Sequence, residues 1–250
     1  MRQRLKAKFE TTNGIFGAFH LGFFIGLPIL VLVLVRVQFA GLALALILLS
    51  KWRMFAVKPH YWAANVRANG VDIIVGLAAL VFIIASGGVV WQLVWTVAYG
   101  AWLVALKSRT DLVSIALQAL VAQVAGLLAL FLYFPTAPTY ALVVVSAAIC
   151  FLSAHHFFNA FDERYTRLLA FIWAYFGAAL TWVLGHWLLF YGFMAQPALI
   201  LTIIAVSIAT IYYLDHKQRL SLVFRRELVM IMVAALIIIL VFSKWSGKIV

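Results

Sequence analysis

Apolar positions run along this chain in long blocks, and polar positions gather into short clusters between them. Runs of about 15 to 24 apolar residues without a charge are the signature of helices that cross a bilayer. The stretch Ile15 to Ser50 is nearly continuous apolar sequence broken by one charge, Arg36. It is too long for a single helix across a hydrocarbon core of roughly 30 Å at about 1.5 Å per residue. An arginine at a helix centre costs about 2.5 to 3.5 kcal/mol on insertion scales, whereas at a helix end it reaches the interface. The break therefore belongs at Arg36-Val37-Gln38, giving two helices. Nine spans are expected in all: residues 15–35, 37–50, 71–85, 89–106, 112–134, 140–158, 168–191, 198–213 and 228–242.

The turn residues fit these breaks. Ser86-Gly87-Gly88 and Pro135-Thr136-Ala137-Pro138 are short connections, and Gln196-Pro197 suits the start of an incoming helix. The spans 37–50, 71–85 and 228–242 are short and would need borrowed interfacial residues or a locally thinned bilayer.

Composition agrees with this pattern: 67% of residues are hydrophobic and 10% charged, and the mean hydropathy is +1.11. Ordinary soluble domains are about half apolar and a quarter charged. The expected fold class is all-α, a polytopic transmembrane helical bundle forming one integral membrane domain over residues 1–250, with a basic interfacial segment at residues 1–14. Met1 to Thr12, Trp52 to Ala68 and Leu214 to Glu227 have the mixed basic and aromatic composition of interfacial helices.

Charge supplies the threading. When alternate loops are assigned to one side, 16 of the 19 basic residues fall there, and only Arg36, Lys244 and Lys248 fall on the other. The positive-inside rule then places the N-terminus in the cytoplasm and the C-terminus outside. An eight-span alternative keeps both termini inside. The net charge of +12 lies beside the membrane segments, where it attracts anionic head groups of the cytoplasmic leaflet. It implies no nucleic-acid partner. The localisation expected is a cell membrane, multi-pass. Gly22 and Gly26 form a small-xxx-small pattern that permits a homo-oligomer, and partners in a membrane complex are also compatible.

Candidate chemistry is concentrated in Ala154 to Arg167, AHHFFNAFDERYTR. His155, Asn159 and Asp162 would share one face of a continuing helix, with His156 and Glu163 on an adjacent face. An imidazole beside a carboxylate suits proton transfer or metal ligation. Asp72 and His20, expected at the same depth, would complete such a cluster. Gln118 and Gln123 lie within the fifth span and His186 near the outer end of the seventh. Cys150 is the only cysteine, so no disulfide framework follows.

Phe151-x-x-x-His155 and His155-x-x-x-Asn159 resemble fragments of the CAAX-processing protease signature, which also requires a paired-glutamate motif; no Glu-Glu pair occurs here. Nine spans with an inward N-terminus resemble the UbiA-type prenyltransferases, whose aspartate-rich loops hold magnesium and a diphosphate. The corresponding regions here offer Asp72 and the Asp162-Glu163 pair. No cofactor or metal is expected. The function that fits is non-catalytic: a small-substrate transporter or a membrane-complex component. The alternative is a transferase or hydrolase acting on a lipid or isoprenoid at the cytoplasmic leaflet, with His155 to Glu163 as its working end.

The threading is testable. A reporter fused after Val250 should signal an extracytoplasmic position, and a cytoplasmic signal would remove one span, the Arg36 hairpin being the first suspect.

Overall fold

The computed structural model describes residues 15–185, 190–191 and 194–243, with the side chains of 15–21, 23, 53 and 190–191 left undescribed. Nine α-helices occur among them: α1 Ile15–Arg36, α2 Ala40–Leu49, α3 Trp62–Ala85, α4 Val89–Ala101, α5 Leu112–Tyr133, α6 Thr139–Ala160, α7 Thr166–Gly185, α8 Gln196–His216 and α9 Leu222–Phe242. Six helical segments are long and apolar enough to cross a membrane: Pro59–Ala85, Val89–Leu106, Leu112–Tyr133, Thr139–Ala160, Thr166–Gly185 and Gln196–His216. These are the helices of a membrane-embedded bundle. The described apolar part of α1, Phe24–Arg36, and all of α2 are shorter. In α9 the group Arg225, Arg226 and Glu227 leaves 15 apolar residues, about 22 Å of helix.

Three expected boundaries move. One is at α9, which starts at Leu222 and not at residue 228 and so takes in the end of the expected surface segment Leu214 to Glu227. The third helix begins at Trp62, not at residue 71, because its polar residues are satisfied where they stand. Pro59 opens a preceding turn, Asn65 Nδ2 donates to the Met54 carbonyl (3.1 Å) and Asn69 Nδ2 to that of Asn65 (2.9 Å). The part of the expected surface segment from Trp62 to Ala68 is therefore helical, and α3 gains the length that residues 71–85 lacked. The seventh helix stops at Gly185. Tyr191, expected to end it, lies instead in a short antiparallel pair, β1 Phe190–Tyr191 with β2 Met194–Ala195, in the register Phe190 to Ala195 and Tyr191 to Met194. The N-terminal basic segment, His186, Trp187 and the C-terminal Lys244 and Lys248 lie outside the described residues.

Three helix ends share one device. Gln38, Asp162 and Gln218 adopt positive φ (65°, 52° and 55°) directly after α1, α6 and α8. After each, two backbone N–H groups reach back to the last turn: Phe39 to Leu34 and Gln38 to Val35, Glu163 to Phe158 and Asp162 to Asn159, Arg219 to Leu214 and Gln218 to Asp215. This left-handed cap satisfies carbonyls that the helix leaves orphaned. The break expected at Arg36-Val37-Gln38 is thus a Schellman turn, with Arg36 exposed as the last residue of α1. Its charge is favourable at the negative end of the helix dipole.

The chain divides into two compact units. One contains residues up to 53 and 79–109. Its core is Val31, Val35, Ala43, Ile47, Leu80 and Ile83, with Trp95 packed on its edge. Tyr99 of α4 and Trp102 just after it are buried, so these aromatic rings pack inside the unit. Gln92 Nε2 donates to the Ile83 carbonyl at 3.3 Å, satisfying one of the orphan groups at the end of α3. The helix α4 then runs into a π-turn, Trp102–Leu106.

The other unit contains residues 54–78 and 110–250. Within it α5 packs on α6, α6 on α7, α7 on α8 and α8 on α5, so four helices close into a ring. Among lipid tails no hydrophobic gain separates helix–helix from helix–lipid contact, and association rests on close packing and interhelical hydrogen bonds. Both are present. Gln123 Oε1 accepts from Trp173 Nε1 (2.9 Å), while its Nε2 donates to the Leu201 carbonyl (3.3 Å), tying α5 to α7 and α8. A Cβ at Gly177 would stand 2.6 Å from Cys150 Sγ, so that glycine sets the approach of α7 to α6. Gly177→Ala should lower stability by about 1–3 kcal/mol through overpacking, measured by denaturant unfolding in detergent. Adding Cys150→Ala should recover much of the loss.

Candidate functional site

The helix α6 ends where the polar cluster begins. His155 and His156 are half-buried in its last two turns, and Asn159 is exposed one turn on. Together with Glu163 they line one cavity of about 790 Å³. The rest of the lining comes from Arg67 and Ala68 near the start of α3 and from Arg164, Thr166 and Arg167 at the start of α7. The charges of Arg67 and Arg167 reach His155.

Asp162 does not join this wall. The helix stops at Ala160, and Asp162 sits exposed in the left-handed position of the cap, so the expected shared face of His155, Asn159 and Asp162 breaks after Asn159. The physical reason is local. Asp is one of the few side chains that enter the left-handed region at tolerable cost, and Glu163 N–H closes the turn onto the Phe158 carbonyl. Asp72 lies on α3 outside the cavity wall, though its charge reaches His156. The side chain of His20 lies outside the described residues.

Neighbouring helices engage two members of the cluster. His156 Nε2 and Gln118 Oε1 are 3.0 Å apart, which links α6 to α5 and turns that ring nitrogen towards a fixed partner. The Tyr212 hydroxyl donates to Glu163 Oε2, linking the turn after α6 to α8. Around this bond stand Phe157, Phe158 and Phe161, whose rings lie 5.8, 5.3 and 5.1 Å from that of Tyr212. The ends of α6 and α8 therefore lie together, and Phe161 also meets His216 at 5.0 Å.

The cavity walls carry three guanidinium groups against one carboxylate, and that carboxylate already accepts from a tyrosine. Among the described residues no ion pair holds Arg67, Arg164 or Arg167. The fork of an arginine matches phosphate and carboxylate oxygens two at a time. Among the described residues no group of three His, Cys, Asp or Glu converges as a metal site. The chemistry that this arrangement offers is the binding of an anion, flanked by imidazole and amide hydrogen-bonding groups.

The three arginines escaped the sequence reading, which assigned them to membrane orientation. Arg67 carried a signal: Pro59, Ala63, Ala64 and Ala68 favour helix, so α3 could have been extended back to include it. Tyr212 and Gln118 carried none, since both reach the cluster only through packing.

No protein-family model, no characterised protein and no solved structure matches the chain.

The role of Asp162 as a cap is testable. Asp162→Gly should leave stability unchanged or raise it by up to about 1 kcal/mol, since glycine enters the left-handed region freely. Asp162→Val should destabilise, because a β-branched residue resists that region. Thermal unfolding of the purified protein in detergent distinguishes the two.

Proposed function

We propose that this is a non-catalytic, multi-pass membrane protein that holds a small anionic group in the basin formed by α3, α6 and α7. The observation that carries the reading is the set Arg67, Arg164 and Arg167 around one cavity with a single, already engaged carboxylate. The group is phosphate-like in charge and shape, belonging either to a phospholipid head group or to a small soluble substrate. A carrier of small anions or a lipid-holding component of a membrane complex would use it equally. The bonds of His156 to Gln118 and of Glu163 to Tyr212 hold both side chains in place as walls of a binding site.

The threading belongs to the same proposal: nine spans within one membrane domain, the N-terminus in the cytoplasm and the basin on the cytoplasmic side of a cell membrane. Its support is the basic bias of alternate loops, together with the meeting of the α3 start, the α6 end and the α7 start at one cavity, as alternate threading requires. A self-associating face at Gly22 and Gly26 is compatible with it, since a Cβ built at either glycine meets nothing within 4 Å.

The test uses the purified protein in nanodiscs. Two arms separate the sources: retention of an anionic phospholipid in native mass spectrometry, and protection from thermal unfolding by inorganic phosphate. One arm should respond, and Arg67→Gln combined with Arg167→Gln should weaken it at least about tenfold, given charge-assisted hydrogen bonds of about 1.5–3 kcal/mol each. Arg109→Gln, outside the basin, should leave it unchanged. A double variant that binds both probes like the wild type overturns the reading.

A further inference from the structure

The basin carries more positive charge than one phosphodiester balances. Its walls hold Arg67, Arg164 and Arg167 against a single carboxylate, Glu163, which leaves two positive charges with the imidazoles counted as neutral. Asp72 and Asp162 stand outside those walls. The Glu163 carboxylate is engaged by the Tyr212 hydroxyl. Arg67 comes from α3 and Arg167 from α7, yet the charges of both reach the same imidazole, His155. Two like charges from separate helices therefore converge on one part of the basin, where an anion between them would offset their repulsion.

Charge and oxygen count together narrow the class of that anion. A phosphodiester, the linkage within most phospholipid head groups, carries one negative charge and two free oxygens, which make one pair for an arginine fork. A phosphomonoester carries three free oxygens and, with a second pKa of about 6, a charge of about −1.5 to −2 at pH 7. Three oxygens make three pairs, one for each guanidinium fork. The dianion also balances the two charges of the walls. Size adds a further condition. At about 790 Å³ the basin falls in the range of about 300–1,000 Å³ that encloses drug-sized molecules, so the phosphate is one end of a larger organic group, for which Ala64, Ala68 and Leu168 supply apolar wall.

We infer, on the anion-binding reading of the basin, that its three arginines select a terminal phosphate, a phosphomonoester dianion, over a phosphodiester. The carbon skeleton that bears the phosphate lies against Ala64, Ala68 and Leu168. Phosphatidic acid in the bilayer and an organic phosphate dissolved in water share this chemistry.

The test compares two matched pairs of probes on the purified protein in phosphatidylcholine nanodiscs at about pH 8, above the second pKa of the monoester. In the lipid arm, phosphatidic acid and phosphatidylglycerol are present in equal amounts, and native mass spectrometry reads which is retained. In the soluble arm, glycerol 3-phosphate and dimethyl phosphate are titrated separately, and the rise in unfolding temperature reads the midpoint of each. At least one arm should favour the monoester by about tenfold or more, the worth of one further charge-assisted hydrogen bond, and the arm that responds names the source. Arg167→Gln should weaken the monoester about tenfold and the diester less, so the preference shrinks. Arg164→Gln should act in the same way, so failure of either variant to fold leaves the other to decide. Arg109→Gln should leave the preference unchanged. Equal binding of monoester and diester in both arms, a preference for the diester, or a preference that survives Arg167→Gln and Arg164→Gln intact overturns this inference, while the anion site itself stands if Arg67→Gln with Arg167→Gln weakens binding. Binding of none of the four probes, or binding that the double variant leaves intact, overturns the anion site and this inference with it.

Discussion

A backbone placed in hydrocarbon has no water to bond, so every N–H and C=O must find its partner within the protein. This requirement shapes the molecule more than any single side chain does. It converts the apolar blocks into helices, and it makes the helix ends the places where special chemistry is needed. At Gln38, Asp162 and Gln218 the chain turns into the left-handed region so that two N–H groups can return to the last turn. At the opposite ends, Asp111 accepts from the Ser114 N–H and Ser221 from that of Phe224. The cluster His155 to Glu163 stands at such an end, and one of its acidic residues serves the cap.

Because lipid contacts compete on equal terms with contacts between helices, the ring α5–α8 is held by features that lipid cannot supply. Gly177 admits the Cys150 sulfur, and Gly126 admits the Ile149 side chain of α6, a Cβ there standing 3.2 Å from Ile149 Cγ2. Gln123, Trp173, Gln118 and His156 supply hydrogen bonds between helices, at a typical worth of about 0.6 kcal/mol, rising to 1–2 in model peptides. Those bonds also border two cavities. The pairing of His156 with Gln118 fixes one imidazole at the edge of the basin, and the Gln123–Trp173–Leu201 chain lies at the wall of an apolar cavity lined by α5, α6, α7 and α8.

The two cavities differ in the environment they offer. One is lined by guanidinium groups, imidazoles and an amide at the ends of helices, and the other by alanines and aromatic rings inside the ring of helices. Two faces of the same helix, α6, supply both, because residues 155, 156 and 159 project roughly opposite to residues 153, 154, 157 and 158 at 3.6 residues per turn. A chain can therefore present a charged cavity and an apolar one within a few residues of sequence.

Sequence alone determined the helical membrane class and the order of nine helices, because run length, charge segregation and turn residues are local properties that the bilayer reads directly. It also located the break at Arg36, since the cost of a buried guanidinium is independent of its neighbours. What it misplaced depended on partners distant in sequence or on the state of the backbone. The start of α3 at Trp62 rests on Asn65 reaching the Met54 carbonyl, the departure of Asp162 from its expected face rests on a left-handed turn, and the pair Phe190–Tyr191 with Met194–Ala195 rests on backbone pairing between two short strands. The cluster His155, His156, Asn159 and Glu163 was legible as a group of polar residues. Its character as an anion basin was decided only when folding brought Arg67 from α3 beside Arg164 and Arg167, since proximity between helices leaves no periodic trace in the chain.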